Sequence, residues 1–318
     1  MVYISDVNMA GLLPVDVSAE ILKETPEQSA VMRLGKRLPN MAAGTEKIPV
    51  LSVLPLAYFV SGTPGDGVTD AMKKTTNLEW ADKYLYAEEI ACIVPIPEKN
   101  LKDTRFDIWG EAKPAIIEAI GQVFDAAVLY GTNKPTNWPN GIYTDAIAKS
   151  MRKVISADLY EDLLGETGVI SLVEANGYFP TGHVSSLSMR GKLRGLKDLD
   201  EHPIFMPSMQ GAGQYDLDGS RIDFPLNGCV DDSKTLLITG AWNKLVYSIR
   251  EDIAYKILTE AVIQDPSTKA IVYNLAQQDM VALRVTFRIA WQIPNPVNRI
   301  NINNATRYPF AVLTPTSA

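Results

Sequence analysis

Apolar and polar residues alternate with a period of two in several places along this chain, and with a helical period in one long stretch. Residues 45–60 are rich in β-formers, and Pro49 and Pro55 mark them as an edge or interrupted strand. Between 77 and 96, Leu78, Trp80, Tyr84, Tyr86, Ile90, Cys92, Val94 and Ile96 share one parity. Glu79, Lys83 and Glu89 take the other, as a half-buried strand requires. The link at 61–76 is Gly- and Thr-rich and reads as a polar tip. Together these segments predict a hairpin with arms of about 16 residues, roughly 50 Å long. A two-stranded ribbon is marginal in water, so such an arm needs support from neighbouring subunits.

The strongest helix follows. Ile116, Ile117, Ile120, Val123, Phe124, Ala127 and Val128 recur at helical spacing. Asp103 or Thr104 offers a cap, Asp107 suits the first turn, and Gly131 closes the helix. Pro114 places the start of its continuous part, giving about 17 residues or roughly 25 Å. A Gly/Pro/Asn-rich break occupies 131–141. Residues 157–175 read as helical with interruptions at Gly165 and Gly168, and Ser186 or Ser188 opens a short helix through Met189, Leu193 and Leu196. Strands are expected near 203–207, 221–226, 235–239, 244–250 and 252–260, with a loop at 207–220. The clearest strand is 280–291, where Val281, Leu283, Val285, Phe287, Ile289 and Trp291 form the buried face. Arg284 and Arg288 lie on the other face, at a candidate subunit contact. The Asn/Pro/Thr-rich tail from 295 to 318 reads as an extended terminal segment. At the other end, residues 1–40 read as an extended arm and a short docking segment.

Composition changes this picture mainly by subtraction. The 318 residues are 46% hydrophobic and 21% charged, enough for a real core. Nothing reads as a membrane span or a secretory signal, so assembly in the cytoplasm is expected. The net charge is -7 with no basic cluster, which argues against sequence-specific nucleic-acid binding. It is compatible with a wall that encloses nucleic acid without adhering to it.

Candidate chemistry is sparse. Cys92 and Cys229 read as small buried hydrophobes. His183 and His202 have no second ligand at metal spacing. Gly211-Ala-Gly213 reads as a loop, and Asp216-Leu-Asp218-Gly219 as a turn, because the later ligands of a calcium loop are missing. Glu88 and Glu89, adjacent on a strand, point to opposite faces. The sequon at Asn304 carries no weight in a chain that is not secreted. No catalytic, metal or cofactor residue is expected, and the protein is not read as an enzyme.

The order of these features carries a resemblance. The arm, the long hairpin, the long helix ending in Ala126-Ala-Val-Leu-Tyr-Gly131, a mixed lobe and a long final strand resemble the tailed-phage major capsid proteins of the Hong Kong 97-type fold. Local matches are Glu88 to Glu98 with Leu101, Leu193 to Asp198 with Pro203-Ile-Phe205, and Gln278 to Arg288 with Pro294. The resemblance implies an α+β chain with an N-terminal arm (1–44), an extended loop (45–96), a peripheral domain with its spine helix (97–150), an axial domain (151–255) and returning peripheral strands with a tail (256–318). It implies a homo-oligomeric shell of hexamers and pentamers, the icosahedral head of a tailed phage around double-stranded DNA. Portal, decoration and separate scaffold proteins would be the partners, and the virion the location. Because the sequence begins with Met at the arm, scaffold is expected to be a separate protein or dispensed with. Some members crosslink a loop lysine to an asparagine. Lys73 and Lys74 at the tip and Asn295 and Asn298 near the end do not align as a full set, and solvated charge is the expected role of the lysines. An encapsulin-type cargo compartment shares this architecture, although no cargo-docking helix is evident in residues 1–30. A cytosolic α/β enzyme with an unrecognised site is the alternative from a different class.

Overall fold

The computed structural model describes residues 29–57, 75–103, 108–197 and 216–316. The arm before Ser29, the hairpin tip with Lys73 and Lys74, the helix-cap candidates Thr104 and Asp107, the strand at 203–207, His202 and Gly211-Ala-Gly213 lie outside them.

The described chain enters through a short helix α1 (Ala30–Leu34), capped by Ser29, whose hydroxyl accepts from the Met32 amide. A two-residue strand β1 (Lys36–Arg37) follows. The expected hairpin is present as β2 (Thr45–Val53) and β3 (Glu79–Tyr86), paired antiparallel from Thr45 opposite Tyr86 to Val53 opposite Glu79. It does not continue to residue 96. At Ala87 the chain leaves the ribbon, and β4 (Glu88–Pro97) joins a different sheet. The parity of the apolar residues runs unbroken through Ala87, so pattern alone could not show the change of partner.

After α2 (Glu98–Asp103) comes the long helix α3 (Ile108–Tyr130) of 23 residues, about 34 Å at 1.5 Å per residue. It starts earlier than expected and carries Pro114 inside it. The proline lies in the second turn, where it removes one ladder bond and leaves the rest of the helix intact. Ile116, Ile120, Phe124, Ala127 and Val128 are buried, whereas Ile117 and Val123 face outward. The turn after α3 requires two glycines. Gly131 has φ +71°, and a Cβ on Gly141 would stand 2.3 Å from the Gly131 nitrogen. The close approach returns the chain along the helix into α4 (Ile142–Ala148).

The second half builds a compact mixed layer. It comprises β5 (Arg152–Val154), α5 (Leu159–Leu164), α6 (Val169–Ala175), β6 (Gly182–Ser185) and α7 (Leu187–Arg194). Asp158 caps α5 and Ser186 caps α7, each through its side-chain oxygen. Next come β7 (Asp216–Leu217), β8 (Ser220–Asp223) and β9 (Leu237–Gly240). Asp218 and Gly219 between β7 and β8 have φ of 50° and 70°, the signature of a tight hairpin turn.

The two expected strands at 244–250 and 252–260 are one strand, β10 (Val246–Leu258), with register shifts between Ile249 and Ala254. Glu251 and Asp252 break the apolar alternation at that bulge, which made one strand read as two. A small hairpin, β11 (Val262–Gln264) with β12 (Ile271–Asn274), precedes β13 (Met280–Gln292). The chain ends in β14 (Phe310–Thr314), whose five residues are all buried. The tail is therefore not merely a terminal extension.

Two sheets result. The first has the order β1-β10-β13-β4 and the second β5-β14-β9-β6-β8-β7. So β10 belongs with the first sheet, although it falls mostly within the stretch assigned to the axial domain. Conversely, β14 returns to the second sheet. One apolar cluster runs through both, from Phe124 and Trp291 to Trp242 and Phe310. Trp138 stands edge-on to both Phe124 and Trp291 at 6.0 and 6.4 Å, and Trp242 packs on Phe310 at 5.1 Å.

Candidate assembly surfaces

The β2–β3 ribbon is held to the body at both ends of its paired length. Trp138 Nε1 donates to the Tyr86 carbonyl at 3.0 Å, and Gln292 Nε2 to the Tyr84 carbonyl at 3.2 Å. The Val297 amide donates to the Leu51 carbonyl, and an Arg299 guanidinium nitrogen to the Pro55 carbonyl. A second, small cluster of Met41, Leu85, Ala87 and Ala290 fills the junction. One face of the ribbon is nevertheless apolar and open. Trp80 is 64% exposed and Leu78 52%, with Tyr84 and Tyr86 stacked beside them at 6.2 Å. The even parity read from the sequence is correct, but in the ribbon it faces solvent.

Further exposed apolar residues lie at the end of β10 and on the small hairpin that follows it. Ile257 and Tyr255 on β10, Val262 on β11, and Ile271 and Val272 on β12 are all exposed. Exposed apolar side chains gathered on one face of an element are of the kind that marks protein contacts. On β13, Arg284 is exposed and Arg288 partly buried. Arg288 lies in register with Glu89 of β4 and Glu251 of β10.

The start of the described chain, at Ser29 and α1, is anchored by a group that no sequence motif marks out. Asp125, on α3, is fully buried and accepts from the Ser29 hydroxyl, the Ala30 and Val31 amides at 2.9 and 3.2 Å, and Asn227 Nδ2 at 3.1 Å. Burial pushes its carboxyl above the usual range, and these bonds oppose that rise. Its signal in the sequence is an acid standing alone in the apolar run of the last helix turns. Arg33 extends the anchor by pairing with buried Asp223 on β8.

The two cysteines, His183, Glu88, Glu89 and the asparagines near the end are placed by the fold as follows. His183 is buried; its Nε2 lies 3.1 Å from the Leu217 carbonyl and its Nδ1 2.7 Å from the Thr239 hydroxyl. A carbonyl can only accept, so Nε2 carries the proton. Burial lowers the ring's pKa to about 4. Neither Cys92, partly buried, nor Cys229, fully buried, is in a disulfide. Glu88 accepts from Asn137 Nδ2 at 3.0 Å, while Glu89 lies exposed. Asn295 is engaged by Tyr178 and Arg307, and Asn298 by Asn176 and Asn301. Among the described residues, no three of His, Cys, Asp and Glu gather to hold a metal, and no helix is long and apolar enough to cross a membrane.

Comparison with known proteins identifies this arrangement. The profile of the family described as "Phage capsid family" matches residues 10–300. The major capsid protein of Staphylococcus phage 80alpha is 29% identical over 291 residues, covering 89% of this chain and 82% of that protein. A solved structure from Microbacterium phage Oxtober96 is 33% identical, with a TM-score of 0.84 and coverage of 99% of this chain and 100% of that one. Another, from Mycobacterium phage Bobi, is 27% identical, with a TM-score of 0.83 over 100% of both chains. These likenesses do not favour a cargo compartment or a cytosolic enzyme. The chain belongs to the phage capsid family, has the Hong Kong 97-type fold and is a structural capsid subunit of the virion, built to join a shell of capsomers.

Proposed function

We propose that this chain is the repeating subunit of hexamers and pentamers in an icosahedral phage head that encloses double-stranded DNA. The observation that carries the reading is the open apolar face of the ribbon, Leu78, Trp80, Tyr84 and Tyr86. A two-stranded ribbon with that much exposed apolar surface gains support when laid over a neighbouring copy. Around a closed shell the contact repeats, so many modest contacts act together. In this reading α3 and the first sheet form the peripheral domain, and the second sheet with its helices forms the axial domain at the capsomer centre. The division falls near Leu245, with β14 returning to the axial side.

In this reading the subunit acts by packing, with no catalytic or metal-binding role assigned to any of its residues. It assembles in the host cytoplasm with a separate scaffold, a portal and, in some shells, decoration proteins. DNA is enclosed without sequence reading, consistent with the net charge of -7. Size-exclusion chromatography with negative-stain microscopy tests the reading. Ring-shaped capsomers or closed shells are expected, alone or with a scaffold protein co-expressed. A compact monomer that stays monomeric with scaffold present, its ribbon resistant to protease, would overturn it.

A further inference from the structure

Among the described residues, the large apolar side chains most open to solvent are Phe179, Ile300 and Ile302, at 82%, 72% and 70% exposed. They come from two distant segments that the fold brings together. Gly177, with φ +78°, passes so close to Ile300 that a Cβ on it would stand 3.0 Å from the Ile300 Cβ, and Phe179 follows two residues later. Asn298 Nδ2 donates to the Asn176 carbonyl and Asn301 Nδ2 to the Asn176 amide oxygen, each at 2.7 Å. The Tyr178 hydroxyl donates to Asn295 Oδ1 at 2.8 Å.

An apolar side chain on a loose loop can tuck itself away from water, but this loop is held on both sides of its isoleucines. It closes around the buried Arg307 guanidinium. Those donors go to the backbone carbonyls of Asn295, Asn301 and Ile302 and to the side-chain oxygens of Asn295 and Asn304. A buried cation demands such bonds, so they fix the path of the chain from Asn295 to Arg307. The Asn301 amide donates to Asn298 Oδ1 at 2.7 Å, across Ile300. At Val297 and Arg299 the same loop bonds to the Leu51 and Pro55 carbonyls, which ties it to the ribbon beside β2.

Charge and size point to what covers these side chains. Neither 176–182 nor 295–307 contains an acidic residue, and the only charges in them are Arg299 and Arg307, on a chain of net charge -7. Copies of an acidic chain repel one another, and a contact between them is favoured where that repulsion is locally reversed. At about 200 Å² for a full side chain of this size, the three expose roughly 450 Å². That is about half of the roughly 800 Å² that each partner brings to a lone specific complex. A separate protein would gain too little from this patch alone, whereas a copy of the chain repeats the contact at every position in a shell.

We propose that Phe179, Ile300 and Ile302 form a preformed knob that a second copy of this chain covers in the shell, a contact distinct from the bare face of the ribbon. The inference rests on the reading of the chain as a shell subunit.

The test places a thiol on the knob with Ile302→Cys in the full-length chain and follows its reaction with N-ethylmaleimide. Free subunits are compared with closed shells, and the parent, whose Cys92 and Cys229 are partly and fully buried, sets the background. Fast labelling is expected in the free subunit, and labelling slower by about tenfold or more in shells built of this chain. The double variant Ile300→Asp with Ile302→Asp should melt within about 2 °C of the parent, as exposed sites do, yet yield few closed shells in negative-stain images. Equal labelling in subunit and shell overturns the proposal, and so does a double variant that assembles like the parent. Protection that appears only when a decoration protein is added gives the knob to that protein and overturns it as well. Should the double variant melt early, the labelling comparison decides alone, because Ile302→Cys keeps an apolar side chain. Parent subunits that never assemble, with scaffold present, would sink the shell reading itself and this contact with it.

Discussion

Two buried polar residues show how single side chains set the behaviour of this subunit. His183 is held neutral, with its ring's pKa lowered from 6.5 to about 4. The unfolded chain therefore binds a proton that the folded chain refuses between those values, and stability falls as pH drops through that window. The loss is about 3 kcal/mol by linkage. It is expected as a difference in denaturant midpoints at pH 7 and pH 4 between the parent chain and His183→Gln. The variant should be weaker at pH 7, where both ring bonds matter, and flatter towards pH 4. Equal pH slopes would show that the ring is not the titrating group. Asp125 makes the complementary case. Removing its carboxylate strands the Ser29 hydroxyl, two amides and the Asn227 amide group in a dry site. Asp125→Ala should cost about 3 kcal/mol in chemical denaturation. The arm entry should also become the first site of protease cleavage, because that is the segment the aspartate fastens.

Among the elements, the ribbon and the strands beside it show what pattern can and cannot convey. The alternation from Leu78 to Ile96 gave the faces correctly. It could not reveal that Ala87 is a junction, because parity records which way a side chain points and not what it meets. Hence Ile90 and Val94 pack against the core while Trp80 lies open on the same parity. The strand β13 was legible almost to the residue, since both neighbours bury one face and leave arginines on the other. Its neighbour β10 was cut in two by Glu251 and Asp252, which sit where the pairing slips. In the tail, the apolar run from Phe310 to Leu313 signalled a buried strand, but the Asn and Pro residues around it masked the signal. Asp125 belongs to no motif, and distant segments of chain bring its partners to it. A prediction follows for the open ribbon face. Trp80→Asp should shift the stability of the free subunit by no more than about 0.5 kcal/mol, as is usual for an exposed site. Yet it should leave capsomers or closed shells scarce in negative-stain images. A variant that assembles as well as the parent would move the contact elsewhere.

The molecule as a whole joins two sheets through one apolar cluster, and that continuity has consequences for how it opens. Phe287 and Trp291 on β13, Phe124 on α3 and Phe310 on β14 lie in the same cluster, so neither sheet can lose its packing without exposing the other. The body should therefore open as one cooperative unit, with its slowest amides in β13 and β9 exchanging only through global unfolding. The ribbon is built differently. Its strands bond to each other, its outward face is bare, and a few bonds from Trp138, Gln292, Val297 and Arg299 tie its other side to the body. In the free subunit, amides of β2 and β3 away from Tyr86 should exchange by local opening, orders of magnitude faster than those of β13. Laid over a neighbour, the same amides should slow towards the rate of the body, because the apolar face that made opening cheap is then covered. Hydrogen exchange on free subunits and on assembled shells reads this directly, with β11 and β12 as an internal comparison at the other apolar end. Ribbon amides as slow in the free subunit as those of β13 would mean that the ribbon is stable unaided, and the reason for placing it on a neighbour would be gone. A ribbon that stays fast in the shell would instead leave its exposed tryptophan and tyrosines without a role in assembly.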